Sequence, residues 1–261
     1  MPARHAFKQR SFNGQPVFGL DFDLFHGYTI IAPVPGSSRQ IAYIGNRASG
    51  LEFVISGNGM SGELVGYFGY GSLVNRQTLR TQFVASHRAS LSGWRRHWQS
   101  RGVEHEHHNG RELALLSIEP AHGVAIQGML VIDRKAHLPE VDRREARYER
   151  VAVSRADITL HGNEDGVELP DELYVYVGHP SKEAVPPPVL LQSYLDAVMA
   201  GFHAEFGEAG VHHFLETTLG FDRLIVMDRH QPIYPRSVSL SEEMGQWFDA
   251  LLAGKGVRSF T

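Results

Sequence analysis

The chain contains no cysteine. That single absence excludes disulfides, thiolate zinc ligands and a cysteine nucleophile together. A dominant charge is missing as well: 25 Lys and Arg stand against 29 Asp and Glu, for a formal net charge of −4 and a pI near 6.4. Such a balance gives no electrostatic case for binding nucleic acid or an anionic membrane. No uninterrupted apolar run approaches the ~20 residues of a membrane-spanning helix. The opening stretch MPARHAFKQRSFNGQPVF has basic residues but no apolar centre of signal-peptide length. A cytoplasmic, soluble protein without nucleic-acid or membrane partners is therefore expected. Internal repeats and low-complexity tracts are also lacking. What is present is ordinary for a protein with a real core: 261 residues, 42% hydrophobic and 21% charged. That length fits one large domain, or one domain with a sizeable extension.

Residues 1–62 alternate short apolar patches (VFGLDFDLF, YTIIAPV, IAYIGN, LEFVIS) with turn residues such as PVPGSS and GNGMSG. Short strands or hairpins are expected there, and no chemistry attaches to them. The glycines from Gly57 to Gly62 mark a plausible junction, so 1–62 reads as an extension of unknown role. From Glu63 the pattern sharpens. ELVGYFGYG reads as a strand ending in a glycine turn, and SLVNRQTLRTQF has helical spacing in Leu73, Leu79 and Phe83. SHRASLSGWRRHWQ has strand character. ELALLSIEP and IQGMLVID, joined by AHGVA, look like an antiparallel hairpin. A helix over KAHLPEVDRREARY, a strand in ERVAVSRADITL and another in ELYVYVG follow. Val189, Leu190, Tyr194, Leu195, Val198, Phe202 and Phe206 then form a helical stripe. A last helix, SLSEEMGQWFDALLA, has Ser239 and Glu242 at capping-box spacing. The fold class is α+β with a mainly antiparallel sheet.

The stretch GYFGYGSLVN, residues 66–75, holds the first chemical clue. It fails three familiar tests. A dinucleotide fingerprint needs glycine where Val74 stands, a phosphate loop needs a Gly-Lys-Ser/Thr triplet, and a hydrolase elbow needs glycine at Tyr70 and Val74. What remains is a strand, a glycine turn and a helix start. Glycine allows close approach, and amides at a helix opening point outward and favour a carboxylate. A plain tight turn, with Ser72 as a cap, is the alternative reading.

The second clue is HLPEVDRREARY. On a helix, Leu138, Val141, Glu145 and Tyr148 share one face, while Arg143, Arg144 and Arg147 take the other. Glu145 thus lies on the stripe that faces the core. An inward carboxylate is unfavourable unless paired or put to use, and burial raises its pKa towards values suited to proton transfer. The bland alternative is an ion pair, with Arg150 for instance.

YGSL after an apolar strand, the run LALLSIEP…IQGMLVID and then DRREARYERV together resemble the gamma-glutamylcyclotransferase superfamily. That superfamily includes ChaC-type glutathione-degrading enzymes and plant AIG2-like proteins. The resemblance spans roughly residues 63–180 and implies a small mixed β-barrel with flanking helices, extended here by a helical part over 181–261. It implies that Tyr70, Gly71, Ser72 and Leu73 hold the glutamyl end of a small-molecule substrate and that Glu145 is the acid/base, with Asp142 supplying the Asp of an Asp-x-x-Glu context. Ala146 follows Glu145 where many relatives have glycine. Tyr148, three residues on, joins the substrate-binding residues. The implied reaction closes a gamma-glutamyl group to 5-oxoproline and releases the amine, with no metal and no organic cofactor. A non-catalytic gamma-glutamyl-binding module, or acyl transfer on a gamma-glutamyl conjugate, would keep the same residues. A Glu145 turned to solvent would favour the module. Nothing in the sequence sets the oligomeric state or selects among gamma-glutamyl compounds.

Other features have plainer readings. His105, His107 and His108 in EHEHHNG do not match the metalloprotease spacing and suit a solvated hairpin tip. His212 and Glu216 form a helical surface pair. Trp94, Arg95, Arg96 and Trp98 fit core and rim packing. Tyr174 and Tyr176 alternate along a strand, and one of them could face a pocket.

Overall fold

The computed structural model describes residues 63–260 except 80–82, 102–106, 163–166 and 183, together with the backbone of strands within the first 62 residues. The chain divides into two compact units, Met1–Gly62 and Glu63–Thr261. In the first, β1 (Lys8–Phe12), β2 (Gln15–Phe22), β3 (Gly27–Pro33), β4 (Gln40–Asn46) and β5 (Glu52–Ile55) pair in chain order as an antiparallel meander. Strands β2 to β5 coincide with the four apolar patches of the sequence, whereas β1, KQRSF, matches none of them.

The second unit opens with β6 (Leu64–Gly69) and the long β7 (Ala85–Gln99). A small hairpin, β8 (His107–His108) and β9 (Arg111–Glu112), leads to β10 (Leu115–Arg134). Helix α1 (Leu138–Arg144) is followed by β11 (Tyr148–Ala152), β12 (Ile158–Leu160) and β13 (Glu172–Gly178). The C-terminal part holds β14 (Leu190–Leu191), α2 (Gln192–Glu216), β15 (Thr218–Leu219), β16 (Leu224–Val226), α3 (Glu242–Gly254) and β17 (Arg258–Phe260). It is therefore not purely helical. No helix among the described residues is long and apolar enough to cross a membrane.

The main sheet runs β11-β13-β6-β10-β7-β12, with β15 also on β7. The β13–β6 and β15–β7 pairs are parallel and the rest antiparallel. This is the mixed, mainly antiparallel α+β fold that the sequence implies, although the strand path is open rather than a closed barrel. Successive side chains on a strand point to opposite faces. Phe68, Leu130 and Ile132 accordingly join the core under α2 and α3, while Tyr67 and Val131 join Val141 of α1 and Tyr176 on the other face. A strand covered on both faces reads as a continuous apolar run, which is why β6 stood out.

Several expectations are corrected. ELALLSIEP and IQGMLVID are not two arms of a hairpin but two halves of β10, both paired with β7. Between Pro120 and Ala125 the residues 121–124 face only Gly93 of β7, and Gly93 (φ 80°) and Gly123 (φ 76°) absorb the bend. A turn signal has become a bulge because β7 offers one unbroken partner. Residues 72–78 form two 3-10 turns, Ser72–Val74 and Arg76–Thr78, instead of an α-helix. ERVAVSRADITL splits into β11 and β12, on opposite edges of the sheet. Ser241, not Ser239, caps α3, accepting from the Met244 amide at 3.2 Å. Helix α2 breaks at Gly207 (φ 68°, ψ −165°), just beyond the predicted stripe.

Candidate active site

Strand β6 delivers the glycine turn. A Cβ on Gly69 would lie 2.5 Å from Leu73 Cβ, so the chain can fold back over this position only if it is glycine. Tyr70 is buried, and its hydroxyl donates to the Tyr176 carbonyl at 2.7 Å. Its own carbonyl accepts from Arg96 Nε at 2.8 Å. Arg96 is wholly buried, lies against the faces of Phe202 (5.0 Å) and Phe214 (5.4 Å), and also donates to Thr217 Oγ1 and the Gln127 carbonyl. Burial pulls its pKa down, opposed by Tyr70 and Tyr194. The sequence reading placed Arg96 in packing; its specific task is to fix the Tyr70 carbonyl.

Within the turn, Val74 N donates to Gly71 O and Asn75 N to Ser72 O, each at 3.0 Å. The amides of Ser72 and Leu73 come before these bonds, so the turn itself gives them no acceptor. The anchor on the far side is Asn75, whose Nδ2 donates to Ala197 O of α2 at 2.9 Å.

Glu145 is the residue after α1: its amide still donates to Val141 O at 2.9 Å, but its φ of −100° and ψ of 30° end the helix. Tyr148 N then donates back to Glu145 O at 2.8 Å. This turn carries the Glu145 side chain into a cavity of about 820 Å³ that Ser72 and Tyr148 also line. The neighbouring Asp142 is a structural anchor, bridging Arg150 (3.0 and 3.1 Å) and the Tyr176 hydroxyl (2.7 Å) and so tying α1 to the sheet. Arg150 is thereby occupied and is not the partner of Glu145.

That partner is Arg144, whose Nε stands 3.1 Å from Oε1. Sequence spacing put Arg144 on the solvent face, but the helix stops there and the side chain turns to the cavity. Burial raises the Glu145 pKa, opposed by Arg144 and Arg236. Burial also lifts the Tyr148 phenol well above its ordinary range, and its hydroxyl donates to Leu116 O at 3.0 Å.

Of the remaining predicted residues, Gly71 lies just behind the wall, where a Cβ would be 2.8 Å from the Tyr194 hydroxyl. Leu73 packs away, against the cluster of Tyr67, Val131, Val141 and Tyr176. Neither Tyr174 nor Tyr176 lines the cavity. Residues missed by the sequence reading line it instead: Arg101, Tyr194, Tyr234 and Arg236. Glu145 is the one acidic side chain among the described lining residues, against Arg101, Arg143, Arg144, Arg147 and Arg236. No group of described His, Asp or Glu residues is arranged to hold a metal; His107 and His108 lead into the Asn109-Gly110 turn, and His105 lies outside the described residues.

The family described as gamma-glutamyl cyclotransferase, AIG2-like matches residues 67–196, from β6 through the start of α2, and so takes in Ser72, Glu145, Tyr148 and Tyr194. The chain belongs to the gamma-glutamylcyclotransferase superfamily. Similar solved structures include a gamma-glutamyl cyclotransferase, 15% identical, covering 72% of this chain and 99% of its own, with a TM-score of 0.44. An uncharacterized protein from Homo sapiens is 14% identical over 72% and 99% of the two chains, with a TM-score of 0.43. A gamma-glutamyl cyclotransferase specific to glutathione from yeast is 14% identical over 75% and 97%, with a TM-score of 0.37. No curated protein matches the chain. The superfamily match stops at residue 196, so Tyr234 and Arg236 come to the cavity from outside the matched segment.

Proposed function

We propose that the second unit, residues 63–261, is a gamma-glutamylcyclotransferase: it closes a gamma-glutamyl group to 5-oxoproline and releases the attached amine. The observation supporting this reading is that Ser72, Glu145 and Tyr148 line one cavity, with the Glu145 side chain only 13% exposed and its pKa raised. The substrate's own α-amine is the nucleophile, so a chain without cysteine lacks nothing. Glu145 takes a proton from the α-ammonium, and the freed amine attacks the γ-carbonyl carbon, moving the carbonyl electron pair onto oxygen. Collapse of that intermediate breaks the bond to the leaving nitrogen, which receives the proton from Glu145; the ring nitrogen then gives up its second proton through the same carboxylate, and the amine departs as an ammonium. Water is not consumed, and Glu145 ends as the carboxylate it was at the start.

The amides of Gly71 to Leu73 hold the α-carboxylate or the developing oxyanion. They act as fixed backbone donors, since a three-residue turn has no helix dipole to add. Tyr148 directs its proton to Leu116 and so offers lone pairs to the ammonium. Folding the glutamyl chain until amine meets carbonyl is a proximity effect that removes several kcal/mol of barrier. The test is incubation with a panel of gamma-glutamyl compounds, assayed for 5-oxoproline. Release of the amine with glutamate in its place would replace cyclisation by hydrolysis, and binding without any release would leave a binding module.

A further inference from the structure

Residues 227–236 lie beyond the matched segment, yet they give the cavity Ile233, Tyr234, Pro235 and Arg236. This wall is firmly built. Asp228 accepts from Ser193 N (2.8 Å), Ser193 Oγ (2.5 Å) and Ile233 N (2.9 Å), and Tyr234 N donates to Ser193 Oγ at 3.2 Å. Next to it, Arg229 is forked onto Asp196 (2.7 and 2.9 Å) and Asp249 (2.9 and 2.7 Å), joining α2, the segment and α3.

On that wall Tyr234 is 8% exposed, and among the described residues its hydroxyl has no hydrogen-bond partner. A buried hydroxyl left unpaired is unfavourable until a ligand supplies the partner. Arg236 lies over the Tyr234 ring at 5.4 Å. Arg144 adds Nη2, which has no hydrogen-bond partner among the described residues, while its Nε faces Glu145. These groups are donors, and they suit an anion. Their place along the cavity is also defined. The Tyr194 hydroxyl sits against Gly71, the Tyr194 ring meets the Tyr234 ring edge-on at 4.9 Å, and Arg236 follows. Arg144 stands 3.1 Å from Glu145 and Arg236 acts on the same carboxyl, so these donors gather around the acid/base, where the amine departs, while the turn amides serve the glutamyl carboxylate.

We propose that Arg236, with the Tyr234 hydroxyl and Arg144, forms a carboxylate subsite for the amine half of the substrate, so that gamma-glutamyl amino acids are preferred to gamma-glutamyl amines without an acid group. This rests on the cyclisation reading, and the experiment separates the two. Gamma-glutamylglycine and gamma-glutamylglycinamide differ only in the terminal acid. In the full-length protein kcat/KM for the acid should exceed that for the amide by about 30-fold, mostly through KM, as expected for a desolvated charge-assisted contact. Arg236→Gln should bring the ratio to within about threefold, Arg236→Lys should restore part of it, and Tyr234→Phe should lower it by a smaller factor. A ratio taken within one preparation does not depend on how much of it is folded. An acid-to-amide ratio near one in the parent chain, or one unmoved by Arg236→Gln, overturns the subsite. Calorimetric titration of both compounds into the Glu145→Gln protein reads binding without turnover. A binding preference lost with Arg236, but no 5-oxoproline from the parent chain, would keep the subsite and remove cyclisation. Turnover without preference does the reverse, and neither binding nor turnover removes both.

Discussion

The cavity has two walls, and they are held by different forces. Ser72, Glu145 and Tyr148 sit on segments set mainly by backbone, through the β6–β10 register, the close contact at Gly69 and the end of α1, with Asn75, Arg96 and Asp142 as side-chain anchors. Tyr234 and Arg236 sit on a segment fixed by side chains, through Asp228, Ser193 and the Arg229 fork. A wall fixed by backbone cannot shift without disturbing the sheet, so its residues suit the invariant chemistry. A wall fixed by side chains can be rebuilt by a few substitutions, which suits recognition of a variable leaving group. The first wall should therefore govern kcat and the second KM.

The largest break in this contrast comes from Glu145→Gln. It should reduce kcat by about a thousandfold, within the span of general acid–base contributions, while binding measured by calorimetry survives. The pH dependence has opposite signs for activity and stability. Activity needs the carboxylate, and its raised pKa moves the acidic limb of kcat/KM above the ordinary glutamate range, so activity is lost as pH falls through that value. Stability is greatest with the carboxyl protonated and declines as pH rises through the same value. Glu145→Gln should consequently melt higher than the parent protein near pH 8, with the difference vanishing near pH 4. A lower melting temperature for the variant at pH 8 would mean that the pair with Arg144 outweighs burial.

Gly71→Ala should come next. Its Cβ would stand 2.8 Å from the Tyr194 hydroxyl and 3.2 Å from Leu116 Cδ2, and a displacement of that order at the turn should lower kcat about a hundredfold. Adding Tyr194→Phe removes the closer atom and should recover part of the loss. If it recovers nothing, Leu116 or the turn itself sets the limit.

The two walls also differ in how far they could be read in advance. The glycine turn and the inward carboxylate are local signals: Gly69 to Ser72 end an apolar run, and Glu145 follows Leu138 and Val141. Even there the backbone differed from the helical wheel. Leu73, Leu79 and Phe83 reach one cluster as their spacing implied, but through 3-10 turns. Asn75 Oδ1 accepts from Gln77 N, and Thr78 Oγ1 donates to Ser72 O, so short polar side chains take over bonds that a helix would make. Arg144 was placed outside by a wheel run on to Tyr148, but it is the last residue of α1, and at this helix end its side chain faces the cavity beside Glu145. Tyr234 and Arg236 carried no local signal at all. They lie in a turn-rich stretch about 90 residues from Glu145, and long-range contacts such as those of Asp228 with Ser193 and of Arg229 with Asp196 bring them to the site.

Asp228→Asn tests that dependence directly. An amide offers one good acceptor oxygen where the carboxylate now serves Ser193 N, Ser193 Oγ and Ile233 N. The loss should destabilise the protein by about 2 kcal/mol, the cost of leaving buried donors poorly paired. It should raise KM for gamma-glutamylglycine by roughly tenfold with kcat within about threefold, because charge-assisted contacts on the second wall slacken while the first wall stays in place. A fall in kcat as large as that of Gly71→Ala would show that the walls are mechanically one.

The smallest effect probes how far the second wall leans on α3. Ser241 caps that helix through the Met244 amide, and Asp249, two turns on, takes one side of the Arg229 fork. Ser241→Ala should cost about 1 kcal/mol of stability, the usual value of a lost N-cap, read as a lower denaturant midpoint with unchanged slope. Asp196 is far less exposed than Asp249, 1% against 40% of the side chain, so the Asp196 side of the fork should hold Arg229 even when α3 frays at its start. The acid-to-amide ratio should accordingly stay at its parent value. A ratio that falls together with the midpoint would shift the support of this wall from Asp196 and Asp228 to α3.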